Sequence, residues 1–267
     1  MEKNFKGEVN VEGYIFYIFS ICLLIGFLLL VYMFREAHLN IVRKHEFSFS
    51  NTSLEQPIRL FFISDIHRRK IDSSMINRMS NQVDLVIIGG DLLEKGVPFK
   101  RIDQNIQKLS SLGQVYFVWG NNDIEIENKH LETIFNKWNV VVLKNSSVTF
   151  NHLGKELALI GVDDLKTGKV DLDLAFQDVG QNAFKLLVSH NPRVLKLLKK
   201  DQGVSLVLSG HTHGGQIRIF GYGPYEKGKT HVYEGVTQII SNGYGTTKIP
   251  LRLSARPETH YIEIKSI

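Results

Sequence analysis

The sequence predicts an α/β fold, two packed mixed β-sheets flanked by helices, preceded by one transmembrane helix. Three observations predict it. Apolar, β-prone runs alternate with helical periodicity from Arg59 onward. Gly-rich turns separate shorter strand candidates after Gly214, and an uncharged apolar stretch lies near the N-terminus.

That apolar stretch runs from Gly13 to Phe34 without a charged side chain. About 20 apolar residues suffice for a helix to cross roughly 30 Å of hydrocarbon. Tyr14 and Tyr17 at one end and Tyr32 at the other suit the two interfaces. A cleaved signal peptide fits less well, because Arg35-Glu36-Ala37-His38 follows in place of a small-residue cleavage pattern. Cys22 lies inside the run behind Ile21, so it reads as a small hydrophobe and not as a lipid-attachment site. A single cysteine excludes an intramolecular disulfide and leaves the compartment open.

The expected organisation is a tail at 1–12, the transmembrane helix at 13–34, a polar connector at 35–57 and a globular domain at 58–267. Lys3 and Lys6 precede the span, whereas Arg35, Arg43 and Lys44 follow it closely. The positive-inside rule therefore favours a cytoplasmic domain on a single-pass protein of the cell membrane. The formal charge of +5 over 267 residues is modest, and no dense basic patch predicts a specific nucleic-acid partner.

Within the domain, strands are expected at Leu60–Ile63, Leu85–Ile88, Val115–Val118, Leu186–Val188 and Leu206–Leu208. Ile102, Ile106, Leu109 and Leu112 fall at helical spacing, as do Val194, Leu195 and Leu198 after Pro192. Later strands are expected at Gln216–Phe220, Val236–Ser241 and His260–Ile264. A loop and helix are expected between Asp123 and Asn136.

Each of the first five strands ends in a polar cluster. They read Asp65-Ile66-His67, Gly90-Asp91, Gly120-Asn121-Asn122-Asp123, Ser189-His190-Asn191 and Gly210-His211-Thr212-His213. Ligand sites in open α/β sheets lie beyond the carboxyl ends of the strands. Hydrolysis of a phosphoester near neutral pH needs a strong nucleophile and neutralisation of phosphoryl charge. Two divalent metals about 3.5–4 Å apart supply both. Two such cations repel, so an anionic ligand is needed between them. Mixed carboxylate, imidazole and amide donors suit Mn, Fe or Zn better than Mg or Ca. Neither Asp65/His67 nor His211/His213 is specific as a pair; the ordered set of five clusters is.

In that order the clusters resemble the signature of the calcineurin-like metallophosphoesterase superfamily, D-x-H, G-D, G-N-H-[DE], an isolated H, then G-H-x-H. The stretch Gly210-His211-Thr212-His213-Gly214-Gly215-Gln216, with Asn242-Gly243-Tyr244-Gly245-Thr246 and Arg256-Pro257-Glu258, resembles a membrane-associated bacterial branch. The resemblance implies a metallophosphoesterase β-sandwich over 58–267 and two divalent metal ions, Mn being the one expected to support activity. It implies that Asp65, His67 and His213 bind the first metal, that Asn121, His190 and His211 bind the second, and that Asp91 bridges them. It further implies attack on phosphorus by a metal-bridging hydroxide.

One position departs from the pattern. Asn122 stands where the family carries a histidine. An amide donates a hydrogen bond but transfers no proton at this pH. Asn122 is therefore expected to act as a phosphoryl-positioning donor, and poor leaving groups are expected to suffer from the missing general acid. Asp123 is expected to orient its loop, and Asp163-Asp164 to form a turn. His130, His152, His231 and His260 are expected to be surface or packing residues. Arg68-Arg69-Lys70 is either a solvated face or a basic lip for an anionic substrate.

The expected activity is a membrane-anchored di-metal phosphoesterase acting on phosphodiester or pyrophosphate bonds of a substrate that includes a lipid-linked class. A tether of about ten to twenty residues would hold the site near the bilayer and raise the effective concentration of such substrates. The alternatives are a phosphatase of soluble phosphoesters, a nuclease, which would need a basic channel, and a metal-binding scaffold without turnover, to which only Asn122 points.

Overall fold

The computed structural model describes residues 11–49, 56–126, 128–152 and 155–266. The chain begins with α1 (Val11–Ala37) and β1 (Ile41–Phe49), then β2 (Ile58–Ile63), α2 (Ser73–Met79), β3 (Leu85–Gly89), α3 (Phe99–Ser110) and β4 (Gln114–Val118). Next come α4 (Asn128–Lys137), β5 (Val141–Val142), β6 (Ser146–His152), β7 (Lys155–Gly161), α5 (Leu172–Phe176), β8 (Phe184–Val188) and β9 (Val204–Ser209). The chain closes with β10 (Lys229–Tyr233), β11 (Val236–Ile240) and β12 (Glu258–Ser266).

One sheet has the order β1-β12-β2-β3-β4-β5 and the other β10-β11-β9-β8-β7-β6. Both are mixed: β2, β3 and β4 run parallel, as do β7, β8, β9 and β11, while β12 lies antiparallel to β2 and β10 to β11. The central strands read as continuous apolar runs because both of their faces are covered. In β2, Leu60 and Phe62 point to the core between the sheets, where they meet Leu186 and Leu208. Phe61 and Ile63 point the other way, toward Ile102 and Ile106 of α3 and Leu131 of α4. A third cluster places Ala175 of α5 and Val194 against Ile160 and Leu187. The result is a helix–sheet–sheet–helix sandwich, as the sequence predicts.

The polar connector expected at 35–57 contains a strand. β1 pairs in parallel with β12 from Ile41↔Glu258 to Phe49↔Ser266. Its polar composition belongs to an edge strand, and the alternation hides its apolar side. Phe47 and Phe49 pack on the inter-sheet core, and Val42 on the opposite face. The expected tether of about ten to twenty residues is not seen among the described residues: three residues, His38 to Asn40, separate α1 from β1. The end of α1 docks on the domain. The Arg252 amide donates to Met33 O (3.1 Å), and Arg69 Nη2 donates to Leu39 O (2.7 Å) and Asn40 Oδ1 (2.8 Å). The rest of α1, from Tyr14 to Tyr32, presents its large apolar side chains outward.

Two other expectations change. Gln216–Phe220 forms isolated bridges in place of a strand, because Gly214, Gly215 and Gln216 all have positive φ and bend the chain. The helix after Pro192 is a 3₁₀ segment, Pro192–Leu197, whose N-terminal amide at Arg193 is capped by Asn191 Oδ1 at 3.0 Å. β7 and β10 lack a strong period-2 signature in sequence and emerge only as sheet partners, whereas in β6 Val148 and Phe150 alternate with polar residues and pack on the inter-sheet core.

Candidate metal centre

β2, β3, β4, β8 and β9 all run out toward the same end of the sandwich, and the polar clusters follow their last residues. Backbone bonds hold the strand ends in place. Asp65 N donates to Gly90 O (3.0 Å) within one sheet and Gly210 N to His190 O (3.0 Å) within the other, while Tyr244 N to Ser64 O (2.9 Å) and Gly245 N to Asp65 O (2.7 Å) join the two. The His190 ring reaches across the sheets, with Nδ1 2.9 Å from Gly89 O. A seam between sheets thus collects side chains more than a hundred residues apart in sequence.

The chain turns sharply at these positions. Asp65 (φ 54°), His67 (φ 50°), Asp91 (φ 51°), His211 (φ 72°) and His213 (φ 50°) all occupy the left-handed region. Non-glycine residues there cost free energy, of order 1–3 kcal/mol where the conformation is sparsely populated, and persist where the surroundings over-determine them. Glycine makes room beside them. A Cβ at Gly120 would overlap the Asp91 carboxylate, and one at Gly210 would overlap Asp65.

Two groups of buried side chains converge, Asp65–His67–His213 and Asp65–Asp91–His190, each with its ligand atoms within 4.8 Å of one another. His67 Nε2 lies 3.1 Å from His213 Nε2, and His213 Nε2 lies 3.2 Å from Asp65 Oδ1. Asp91 Oδ2 stands between the groups, 3.7 Å from His67 Nε2 and 3.3 Å from His190 Nε2. His211 Nδ1 lies 3.2 Å from His190 Nε2. Asn121 lines the cleft with Asp91, His211 and His213, and its Oδ1 is buried with no hydrogen-bond partner.

These donors fit divalent cations. Two imidazole nitrogens about 2.0–2.1 Å from one tetrahedral ion stand roughly 3.3 Å apart, close to the His67–His213 separation. A buried amide oxygen without a donor costs about 1–3 kcal/mol, and a cation beside Asn121 Oδ1 removes that cost. The charge balance agrees. Burial opposes the charged form of His190, but Asp91 and Asp65 overcome it and push its pKa up to about 10. Burial also disfavours the Asp91 carboxylate, yet His190 and His67 hold its pKa well below the usual range. Two buried carboxylates at the centre are thus stabilised by whatever positive charge lies beside them.

Asp123 orients the loop, as expected. Its buried carboxylate accepts from the amides of Asp91 (2.7 Å), Gly120 (2.9 Å) and Leu93 (3.1 Å). Asn122 donates to both oxygens of Asp91, through its amide N (2.8 Å) and through Nδ2 (2.7 Å). Asp163 and Asp164 form a buried turn, and His260 is buried packing. Arg68-Arg69-Lys70 lies on a separate cavity, not on the cleft.

Two residues escape sequence reasoning. Glu94 places Oε2 3.2 Å from His67 Nδ1, orienting the ring from behind as carboxylates do for metal-ligating histidines. A carboxylate three residues after Asp91, following two leucines, is its only sequence signal. Arg252 is fully buried and donates through Nη1 to His213 O (3.1 Å) and through Nη2 to Asn242 O (2.7 Å) and Gly245 O (2.6 Å). Nothing in its neighbourhood in sequence marks it.

Comparison with known proteins extends this geometry. The family described as calcineurin-like phosphoesterase matches residues 58–215. The chain is 44% identical to the uncharacterized protein YpbG of Bacillus subtilis (strain 168), over 87% of this chain and 90% of that one. It is 27% identical to the phosphodiesterase YaeI of Escherichia coli (strain K12), over 78% of this chain and 82% of that one. Among solved structures, a 5'-nucleotidase precursor from Thermus thermophilus superposes with a TM-score of 0.52 at 12% identity, over 78% of this chain and 54% of that one. That likeness concerns the fold. Metal-binding geometry at the seam and a family match spanning most of the strands that build it lead to one conclusion: this chain belongs to the calcineurin-like phosphoesterase family and is a metal-dependent hydrolase of phosphoric ester bonds.

Proposed function

We propose that the protein is a membrane-anchored, di-metal phosphodiesterase whose substrates include lipid-linked phosphodiesters or pyrophosphates. The observation that carries the reading is the pair of overlapping donor groups at the sheet seam, in a domain docked directly on an apolar helix. Asp65, His67 and His213 would hold one metal and Asn121, His190 and His211 the other, with Asp91 between them. Mn is the ion proposed to support activity. Two divalent cations bound there supply an activated water and neutralise phosphoryl charge.

The residues around them do the rest. Asp123 fixes the Asp91 backbone through its amide, Asn122 fixes the Asp91 carboxylate, and Glu94 fixes the His67 ring. Lys166 and Lys248 line the cleft and draw an anionic substrate inward. Asn122, part-buried on the cleft wall, positions a phosphoryl oxygen with the remaining hydrogen of its amide.

α1 supports the membrane reading, since Glu12–Ala37 contains an 18-residue window of mean hydropathy 2.7 in which no residue is buried. The positive charge after the span supports a cytoplasmic domain. The shape of the cleft supports a lipid-linked substrate. A cavity of about 520 Å³ is lined both by Asp91, Asn121 and Asn122 and by Ile217, Pro224, Tyr225 and Ile249. Beyond it a tight turn at Phe220-Gly221 exposes Ile219, Phe220 and Tyr222, with Phe220 96% exposed. Apolar groups so placed suit acyl or prenyl chains.

The test is hydrolysis of bis-p-nitrophenyl phosphate by the full chain, metal-free and with Mn²⁺, alone and as Asp91→Asn. Activity that requires metal and disappears in the variant supports the diesterase reading. A soluble monoester turned over faster than any diester, with vesicle-borne substrates ignored, would replace it by the soluble-phosphoester alternative. Metal bound without turnover of either would favour the scaffold.

A further inference from the structure

Arg68, Arg69, Lys70, Arg101 and Lys108 line one cavity of about 600 Å³ that shares no residue with the metal cleft. The sequence separates these cations by up to forty positions. The fold joins the loop after β2 to the start and the last turn of α3. Arg68 pairs with Glu94. The other four form no ion pair among the described residues.

Their hydrogen bonds go to neutral acceptors. Arg101 Nη1 donates to Arg68 O (2.8 Å) and its Nε is buried without a partner. Lys108 Nζ donates to Ile71 O (2.6 Å). Arg69 donates to Tyr244 O and Leu39 O, and its guanidinium stacks 3.9 Å over the Tyr244 ring. The one carboxylate on the wall, Asp72, caps α2 through the Met75 amide at 2.9 Å. Four cations without an ion-pair partner, facing one carboxylate across the same cavity, leave a net positive charge there, and a multidentate anion relieves their repulsion.

The cavity also has a fixed place. His38 and Asn40, which follow α1 closely, form part of its wall, and Arg69 holds Leu39 and Asn40 by two hydrogen bonds. We propose that this cavity is a second, non-catalytic site that binds a phosphate-bearing anion, supplied by the headgroup of an anionic lipid where α1 leaves the bilayer. Basic side chains at a membrane surface each gain about 1 kcal/mol from anionic lipid, and the volume admits a headgroup larger than phosphate alone. The placement at headgroup level rests on the membrane-spanning reading of α1; the anion chemistry does not.

The experiment is calorimetric titration of the full chain in neutral detergent with a metal chelator present, so that turnover plays no part. The probes are dioctanoyl phosphatidylglycerol, dioctanoyl phosphatidylcholine and inorganic phosphate. The variants are Lys70→Gln/Lys108→Gln and, because Lys70 is exposed and its reversal leaves the core untouched, Lys70→Glu. We expect phosphatidylglycerol to bind more tightly than either other probe and both variants to weaken it about tenfold. Equal binding of inorganic phosphate, weakened by the same variants, retains the anion site and assigns it a soluble ligand. Absence of binding by phosphatidylglycerol and phosphate, or binding that the charge variants leave unchanged, overturns the proposal.

Discussion

Asn122 grips both carboxylate oxygens of Asp91, its backbone amide at 2.8 Å from Oδ1 and its side-chain Nδ2 at 2.7 Å from Oδ2. The amide that replaces the family histidine is therefore tied to the carboxylate expected between the metals. Asn122→Ala removes the side-chain bond and is expected to lower kcat about tenfold to a hundredfold, the backbone bond remaining. Asn122→His restores a proton donor. It is expected to raise turnover of diesters with alkyl leaving groups by at least about tenfold, and to change p-nitrophenyl esters little. A leaving-group series on the two variants checks this, and equal effects across the series would contradict the account.

Asp91→Asn keeps the shape of the carboxylate and removes its charge. Two cations about 3.5–4 Å apart then lose the anion between them. Metal content measured by atomic emission is expected to fall from about two ions per chain toward one, and hydrolysis by at least about 10³-fold. Retention of both ions would place the bridging charge on Asp65, which both donor groups share.

Arg252 is the largest fully buried side chain among the described residues, and its guanidinium serves carbonyls of five residues, His213, Asn242, Gly243, Gly245 and Ala255. Arg252→Met leaves those carbonyls unpaired and is expected to cost about 3–5 kcal/mol. Thermal unfolding in detergent measures it. A loss below about 1 kcal/mol would show that water replaces the guanidinium.

His260 makes stability sensitive to acid. Burial, with His45 and Arg43 adding to it, pushes its pKa down from 6.5 to about 3. Its Nδ1 lies 3.0 Å from His45 Nε2, and Glu258 Oε1 lies 4.0 Å from its Nε2. Between those pKa values the unfolded chain binds a proton that the folded chain does not. The stabilisation is thus present above pH 6.5 and is lost as pH falls toward 3, by at most about 1.4 kcal/mol per pH unit. His260→Phe is expected to narrow the gap between unfolding temperatures at pH 7 and pH 5. An unchanged gap would assign the acid sensitivity to other groups.

The strands that carry the chemistry, and the residues that end them, are legible in the order of amino acids alone. Leu60–Ile63, Leu85–Ile88 and Leu206–Leu208 are buried on both faces, so their apolar runs are continuous and legible, and a metal site needs residue types that stand out against such runs. The helix over Ile102–Leu109 was legible for a related reason, since one face alone meets the core. β1 was not, because an edge strand buries little and its polar alternation resembles a linker. It is the packing of elements that puts Arg252 beneath His213 and Glu94 behind His67, and that gathers Arg69, Arg101 and Lys108 in a cavity beside the end of α1. These are relations between residues distant in the chain. Local propensity carries no information about them, because packing between elements creates them.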